Sequence, residues 1–402
     1  MNAVWRKNLF DVGEIPPLGF VPRHMYAWTI RPDRQGRPQE ALREEIVDVP
    51  SIGDDEALVL VMAAGLNYNG VWACLGVPVS VFAFHAEKLH IPGSDASGIV
   101  WAVGRHVRRF KVGDEVIIHC HQDDGDDDEC NGGDPMNSAT QRIWGYETSY
   151  GSFAQFTKVQ SRQLMPKPRH LTWEESSCYT LTLATAYRML FGHPPHTVKP
   201  GSNVLIWGAA GGLGSMAIQL STLAGANAIA VIGDERKRDF VANLGARGAV
   251  NRNDYRCWGK MPDIGGEQYA TYLSEIKRFG AAIRRLTGDR DPDIVFEHPG
   301  AETFSVSSLV CKRGGMVVFC ASTTGFKLSF DSRFAWTRQK RLQGSHFANC
   351  KQASDANLLV LQGRVRPCLG QVYQWRQLPQ AHEEMLDNKH APGNHSIRVS
   401  AH

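Results

Sequence analysis

The stretch "NVLIWGAAGGLGSMAIQLSTLAGA", residues 203–226, decides the fold class of this chain. An apolar, β-like run comes first, a glycine-rich turn follows, and an apolar helical segment completes the unit. The next stretch, "NAIAVIGDERKRDFVANLGA", repeats strand and helix, and "PDIVFEHPG" and "GGMVVFCAS" add two apolar strands. Apolar strands that alternate with amphipathic helices are typical of a parallel, doubly wound sheet. We therefore predict an α/β chain with a Rossmann domain.

The glycine turn of this domain has the features of a dinucleotide site. Glycines permit a tight turn and a close backbone approach to a pyrophosphate, and the following helix supplies free N–H groups and a positive dipole end. A glycine-rich turn without a ligand is the alternative. The residues that we expect to contact the cofactor are Gly208, Ala210, Gly211, Gly212, Leu213 and Gly214.

The end of the second strand, "VIGDERKRD" (231–239), bears on the choice of nucleotide. An acid at this place commonly binds the ribose 2′-hydroxyl of NAD, whereas a basic residue accommodates the 2′-phosphate of NADP. The sequence offers Asp234 and then Arg236, Lys237 and Arg238. These residues by themselves leave the choice open.

The remainder of the chain predicts a second, β-rich domain. "ALVLVMAAGLN", "GIVWAVG" and "DEVIIHC" are short apolar runs separated by glycines and charges. The last fifty residues return to short strands, so we expect them to rejoin this domain. The predicted organisation is a β-rich domain over 1–182 with an N-terminal arm, a dinucleotide domain over 183–345, and a C-terminal return over 346–402.

Composition points to a cytoplasmic protein. The 402 residues are 43% hydrophobic and carry a net charge of +3, which is too balanced to indicate nucleic acid or a membrane as partner. No apolar run is long enough to span a bilayer. The start, "MNAVWRKNLF", lacks the apolar core of a signal peptide. The nine cysteines are scattered, which fits a reducing compartment.

Two clusters could suggest a metal, and neither has the required pattern. "HCH" (119–121) would place neighbouring ligands on opposite faces of a strand. The acidic stretch "QDDGDDDECNGGD" (122–134) lacks the carboxylate spacing of a calcium loop. We therefore predict a solvated acidic loop and no metal.

Motifs spread over nearly the whole chain resemble one family. They include "GLNYNGVW" (65–72), "HIPGSDASGIVWAVG" (90–104), "QRIWGYETSYGSFAQF" (141–156), "FEHPG" (296–300) and "GSHFAN" (344–349). With them the chain resembles the zinc-independent medium-chain dehydrogenase/reductases and, within these, the crotonyl-CoA carboxylase/reductases. The stretch 250–288 resembles an insertion of that family. The resemblance implies a GroES-like catalytic domain beside the Rossmann domain.

The resemblance also implies a reaction and a set of residues. The family uses NADPH to reduce an α,β-unsaturated acyl-CoA at the β-carbon, and the resulting enolate attacks carbon dioxide to give an alkylmalonyl-CoA. By motif, the roles fall on Asn69, Tyr146, Glu147 and His346 around carbon dioxide, Lys237 at the 2′-phosphate, and Arg333 at the CoA phosphates.

Some alternatives stay open from the sequence. Asn67 competes with Asn69, because the two are two residues apart and are expected to share one strand face. Tyr146 stands where part of the family has phenylalanine. A non-carboxylating enoyl-CoA or quinone reductase, or an inactive nucleotide-binding relative, could have the same fold. The length of the acyl chain is not readable from the sequence, and a homodimer or homotetramer is expected only from the resemblance.

Overall fold

The computed structural model describes residues 7–401 and divides into two compact units. The first unit comprises the chain up to Leu181 and again from Asn349 onward, and the second comprises Thr182–Ala348. The domain boundaries given above, after residues 182 and 345, stay predictions.

The strands are numbered in chain order. They are β1 (His24–Thr29), β2 (Arg43–Asp48), β3 (Glu56–Leu66), β4 (Ala96–Val103), β5 (Glu115–Ile118), β6 (His121–Gln122), β7 (Arg142–Ile143), β8 (Phe156–Gln160), β9 (Leu164–Pro166), β10 (Asn203–Ile206), β11 (Asn227–Ile232), β12 (Gly248–Asn251), β13 (Ile294–Glu297), β14 (Met316–Phe319), β15 (Arg341–Gly344), β16 (Leu369–Tyr373) and β17 (Asn394–Arg398).

The helices are numbered in the same way. They are α1 (Pro38–Ala41), α2 (Tyr68–Leu75), α3 (Trp173–Ser177), α4 (Thr180–Phe191), α5 (Gly212–Leu223), α6 (Arg238–Asn243), α7 (Glu267–Thr287), α8 (Phe304–Val310), α9 (Ser332–Trp336), α10 (Cys350–Leu361) and α11 (Leu378–Leu386). None of the helices within residues 7–401 combines the length and the apolar character that a membrane span requires.

The second unit is built on a parallel sheet in the order β12-β11-β10-β13-β14-β15. The order reverses between β10 and β13, where doubly wound sheets bind their ligands. Buried side chains such as Leu205, Ile229 and Val295 form its core. The predicted Rossmann domain is confirmed.

The first unit contains the sheet β16-β17-β3-β4-β5-β9, with β8 also paired to β3. Strand β17 pairs antiparallel with β3, so that His395 lies opposite Leu66. The C-terminal strands therefore join the sheet that the N-terminal half begins. Because the strands are short and mostly antiparallel, this unit agrees with the expected GroES-like domain.

The N-terminal region contains more regular structure than a surface arm. Strands β1 and β2 pair antiparallel in the register His24↔Asp48 to Thr29↔Arg43. Met25 and Ala27 are fully buried, because alternate side chains of β1 point into the core of the first unit. The part of the predicted arm before residue 7 lies outside the described residues.

The stretch that resembles the family insertion forms a long helix. Helix α7 ends at Gly288, which has φ +67° and closes the helix in the left-handed conformation. Its buried face, which includes Phe279 and Ile283, packs into the core of the second unit. This stretch therefore adds a packed helix to the Rossmann unit.

Candidate active site

The turn between β10 and α5 depends on glycine at two positions. Gly208 has φ +52°, and a Cβ there would lie 2.5 Å from Nε2 of His298. A Cβ on Gly214 would lie 2.4 Å from the carbonyl oxygen of Gly208. Any larger residue at either position would displace the turn or the helix.

The start of α5 fits a pyrophosphate. Gly211 is its N-cap, and within the described chain no side chain caps this end. The N–H groups of the first turn are thus available to an anion, and the dipole of this 12-residue helix favours one. A Cβ on Gly211 would come no closer than 3.4 Å to another atom, so the space above this residue is open.

The end of β11 favours a phosphate-bearing ribose. Asp234 pairs with Arg236 through both carboxylate oxygens, and this guanidinium holds the pKa of Asp234 at about 2. The negative charge of Asp234 is therefore offset by a neighbour. Lys237 follows on the same turn, is half-buried and carries the positive charge that a 2′-phosphate needs.

Two residues of "FEHPG" lie beside the glycine turn, and the sequence predicted no role for either of them. His298 donates from Nε2 to the carbonyl oxygen of Trp207 at 3.0 Å, and burial lowers its pKa to about 4. Glu297 is fully buried and accepts hydrogen bonds from Thr303, Ser307 and the backbone of Gly300. Their place at the end of an interior strand was the available signal.

The two candidate asparagines occupy different environments. Strand β3 ends at Leu66, Asn67 is the N-cap of α2, and Asn69 lies in the first turn of that helix. The expectation that they share a strand face is therefore wrong. Asn67 is buried and donates from Nδ2 to Asp95 at 3.1 Å, whereas Asn69 is half-buried with Nδ2 3.5 Å from Ser94 Oγ.

Tyr146 and Glu147 lie in a tight turn after β7. The Tyr146 hydroxyl lies 2.9 Å from the carbonyl oxygen of Val77 and 3.1 Å from that of Val79, so it is held away from the turn. Oε2 of Glu147 accepts a hydrogen bond from the Ile143 N–H at 2.7 Å, which leaves Oε1 available. Burial raises the pKa of Glu147.

The structure brings three of the four predicted carbon dioxide residues near one segment of the first unit. A Cβ on Gly145 would lie 1.9 Å from the carbonyl oxygen of Gly93, so the turn that carries Tyr146 and Glu147 packs on this backbone. Ser94, the next residue, is the neighbour of Asn69. The segment Gly93–Ser94 therefore lies between Asn69 and the turn.

The fourth predicted carbon dioxide residue, His346, and the predicted CoA-binding residue, Arg333, belong to the second unit. His346 is exposed after β15, and its ring lies 4.5 Å from that of Phe347. Arg333 lies in the first turn of α9 and forms a two-point ion pair with Asp331, at 3.0 and 2.7 Å. Its remaining donor capacity is what a CoA phosphate would use.

Residues 7–401 contain no group of three or more His, Cys, Asp or Glu side chains arranged to hold a metal ion. His121, in the "HCH" cluster, pairs instead with Asp123 at 2.6 Å.

Comparison with known proteins first gives the class. The model of the alcohol dehydrogenase GroES-like domain matches residues 53–169, and the model named zinc-binding dehydrogenase matches residues 212–360. Together with the Rossmann sheet and its glycine turn, these matches define a medium-chain dehydrogenase/reductase.

Individual relatives then give the family. The crotonyl-CoA carboxylase/reductase of Cereibacter sphaeroides is 63% identical over 98% of this chain and 92% of its own length. The solved crotonyl-CoA carboxylase/reductase AntE with NADP is 47% identical, with a TM-score of 0.93 over 98% of this chain and 99% of its own. The 2-octenoyl-CoA carboxylase reductase CinF, solved with NADP and 2-octenoyl-CoA, is 34% identical, with a TM-score of 0.85 over 96% of this chain and 89% of its own.

The chain belongs to the crotonyl-CoA carboxylase/reductase family. It is an NADPH-dependent oxidoreductase of that type, and the predicted family, fold and cofactor are confirmed. Which side chains serve the reaction stays a prediction.

Proposed function

We propose that this enzyme reduces an α,β-unsaturated acyl-CoA, crotonyl-CoA or a longer 2-enoyl-CoA, and carboxylates it to an alkylmalonyl-CoA. NADPH supplies the hydride that adds to the β-carbon and leaves an enolate. The α-carbon of the enolate then forms a bond to carbon dioxide, whose oxygens take the negative charge. The family and the three residues around Gly93–Ser94 support this reaction over simple reduction.

Carbon dioxide sets the physical demands on the site. The molecule has no net charge and no dipole, so a few hydrogen-bond donors must hold it, and water must be excluded because a proton would quench the enolate. Donors that already point to where charge develops are an effective catalytic device. We assign the donor role to Asn69 and His346, the exclusion of water to Tyr146, and the orientation of His346 to Glu147.

Asn69 supplies an amide N–H for an oxygen of carbon dioxide. Its half-buried side chain, in contact with Ser94, combines limited exposure with an accessible donor. Asn67 is the weaker candidate, because its amide is engaged with the buried Asp95.

Tyr146 and Glu147 have separate tasks. The tyrosine ring is 6% exposed and excludes water, while its hydroxyl is held by backbone carbonyls. Glu147 is fixed through Oε2. We assign to it the orientation of the His346 imidazole, because the sequence resemblance implies that role and carboxylates commonly orient imidazoles. His346 then donates to carbon dioxide or to the carboxylate that forms.

The cofactor and the thioester require positive charge. The first turn of α5 and Lys237 would hold the pyrophosphate and the 2′-phosphate. Arg333 is assigned to the CoA phosphates, because its guanidinium is oriented by Asp331 and presents further N–H groups.

We propose a cytoplasmic setting on chemical grounds. The described cysteines are all free thiols, which fits a reducing cytoplasm, where CoA thioesters and NADPH are available. We also propose a homodimer or homotetramer, as the sequence resemblance implies.

The decisive experiment incubates the enzyme with NADPH and crotonyl-CoA or 2-octenoyl-CoA, with and without bicarbonate. Mass spectrometry of the thioester is expected to show the added mass of one carbon dioxide only when bicarbonate is present. The saturated acyl-CoA as sole product at saturating bicarbonate would instead identify a non-carboxylating reductase.

Variants test the assigned residues. Glu147→Ala and His346→Ala should move product toward the saturated thioester while part of the NADPH oxidation remains. Glu147→Gln is the matched control for local structure, because its amide oxygen still accepts from Ile143 while its charge is lost. A parallel loss of both products would assign these residues to folding or cofactor placement.

A further inference from the structure

Two hydrogen-bonded histidines lie behind the turn that carries Tyr146 and Glu147. The rings of His85 and His90 are 5.3 Å apart and inclined by only 5°. Nε2 of His85 is 3.1 Å from Nδ1 of His90, and Nε2 of His90 is 3.2 Å from the carbonyl oxygen of Gly145. His90 is fully buried and His85 is half-buried.

The donor and the acceptor of each hydrogen bond in this series can be assigned by starting from the carbonyl oxygen of Gly145. A carbonyl oxygen only accepts, so Nε2 of His90 must carry a proton and donate it to Gly145. Burial lowers the pKa of His90 to about 3, so the ring is neutral and its Nδ1 has a lone pair. His85 must therefore donate from Nε2 to that atom. The hydrogen bonds thus run from His85 to His90 and from His90 to the Gly145 carbonyl. Because the last acceptor is a peptide group, the series orients this peptide and does not conduct a proton.

The peptide that receives this bond is conformationally demanding. Gly145 has φ +73° and packs directly on Gly93, where no Cβ would fit. Its N–H donates to Thr148 Oγ1 at 3.1 Å, while its carbonyl accepts from His90. Side chains thus hold both polar groups of Gly145, and the residue immediately precedes Tyr146 and Glu147.

We propose that His85 and His90 are positioning residues for carboxylation, which act by fixing the Gly145 carbonyl and thereby the direction of Tyr146 and Glu147. This inference rests on the proposed function of that turn. Without the imidazole, Gly145 loses its buried partner, the turn relaxes, and water reaches the enolate. Protonation then competes with carboxylation, whereas hydride transfer at the β-carbon is retained.

The test measures the ratio of alkylmalonyl-CoA to saturated acyl-CoA, and the rate of NADPH oxidation, at saturating crotonyl-CoA and bicarbonate. His90→Ala should lower the ratio by about tenfold, the range expected for a buried carbonyl that loses its donor. His90→Gln should recover most of it, because its amide can donate to Gly145 and accept from His85. His85→Ala alters a half-buried residue and should lower the product ratio by a smaller factor. This variant tests the proposal if His90→Ala does not fold.

Two controls separate positioning from general stability. His395 is another buried histidine of the first unit, so His395→Ala should lower thermal stability without changing the product ratio. In a Glu147→Ala background, His90→Ala should have little further effect on the ratio.

The outcomes are distinct. A wild-type enzyme that yields only the saturated thioester would refute the proposed function, and this inference with it. A wild-type enzyme that carboxylates, together with folded His90→Ala and His85→Ala variants of unchanged ratio, would overturn this inference alone. Failure of His90→Gln to recover the ratio would also contradict it.

Discussion

Asn67 and Asn69 are two residues apart, and the structure gives them separable roles. The Asn67 amide is buried against Asp95, so Asn67→Ala should remove one of the two hydrogen bonds that this buried carboxyl accepts and cost about 1–3 kcal/mol of unfolding free energy. Asn69→Ala should cost little stability and should lower the carboxylated share of product. Urea unfolding and thioester mass spectrometry measure the two effects. The reverse result, with Asn67→Ala changing product and Asn69→Ala changing stability, would exchange the roles.

Lys237 permits a prediction about cofactor choice. Lys237→Ala should lower the ratio of kcat/KM with NADPH to kcat/KM with NADH by about tenfold or more, because one charge-assisted contact to the 2′-phosphate is lost. Arg236→Ala should lower the same ratio, because it uncovers the Asp234 carboxylate that Arg236 now pairs. Lys260→Ala, at an exposed lysine of the same unit, is the control. A preference unchanged in both Lys237→Ala and Arg236→Ala would place the 2′-phosphate elsewhere.

Single residues show where sequence reasoning ends. The glycines at 208 and 214 were predictable, because their spacing in a strand–turn–helix unit has a physical cause. The environment of Asn67 was not, because an apolar run does not reveal where a strand gives way to a helix. His90 meets Gly145 across 55 positions, and no local pattern contains that contact.

The start of helix α5 gives a prediction at the level of the element. Gly214→Ala should destabilise the second unit, because a Cβ there meets backbone at 2.4 Å. Gly211→Ala should fold normally, since Gly211 has φ −82° and open space, but its methyl group would occupy the approach of the pyrophosphate. We expect a raised KM for NADPH in Gly211→Ala and a lowered melting temperature in Gly214→Ala. Equal melting temperatures for the two variants would contradict the packing argument.

The sequence predicted the interior strands of the sheets better than the edge strands. The four interior strands, β10, β11, β13 and β14, were visible as apolar runs because both of their faces are covered. The edge strands β12 and β15 were missed, since β15, "RLQG", is polar and only partly buried. The hairpin of β1 and β2 was missed as well, because β2, "REEIVD", is mostly charged and none of its side chains is buried.

On the scale of the whole molecule, each unit contains a carboxyl group that burial makes difficult to ionise. Burial raises the pKa of Asp95, in the first unit, to about 8, although hydrogen bonds from Asn67 and the Leu181 N–H oppose the shift. Burial raises the pKa of Glu297, in the second unit, to about 7, against the opposing effect of Ser307, Gly300 and Thr303. Both groups therefore link folding to pH in the same direction.

The sign of this link follows from proton binding. In the unfolded chain both carboxyls lose their protons near their ordinary pKa values, about 4. The folded protein keeps the protons to higher pH, so it binds more protons than the unfolded chain between about pH 4 and pH 7 to 8. The stabilising contribution is complete below that window and declines as pH rises through it. For Glu297 alone the decline amounts to about 3 kcal/mol.

Glu297→Gln tests this link in the second unit. The amide cannot ionise, yet its oxygen can still accept from Thr303 and Gly300, so the variant should fold. Between pH 5 and pH 8, its unfolding free energy should fall by about 3 kcal/mol less than that of the wild type. Urea unfolding of both proteins at each pH measures the difference, and tryptophan fluorescence includes the signals of Trp207 and Trp258, which pack in this unit on Phe279. Glu267→Gln, at the exposed start of α7, should retain the wild-type dependence on pH. If Glu297→Gln also retained it, the buried carboxyl would not be the group that couples folding of the second unit to pH.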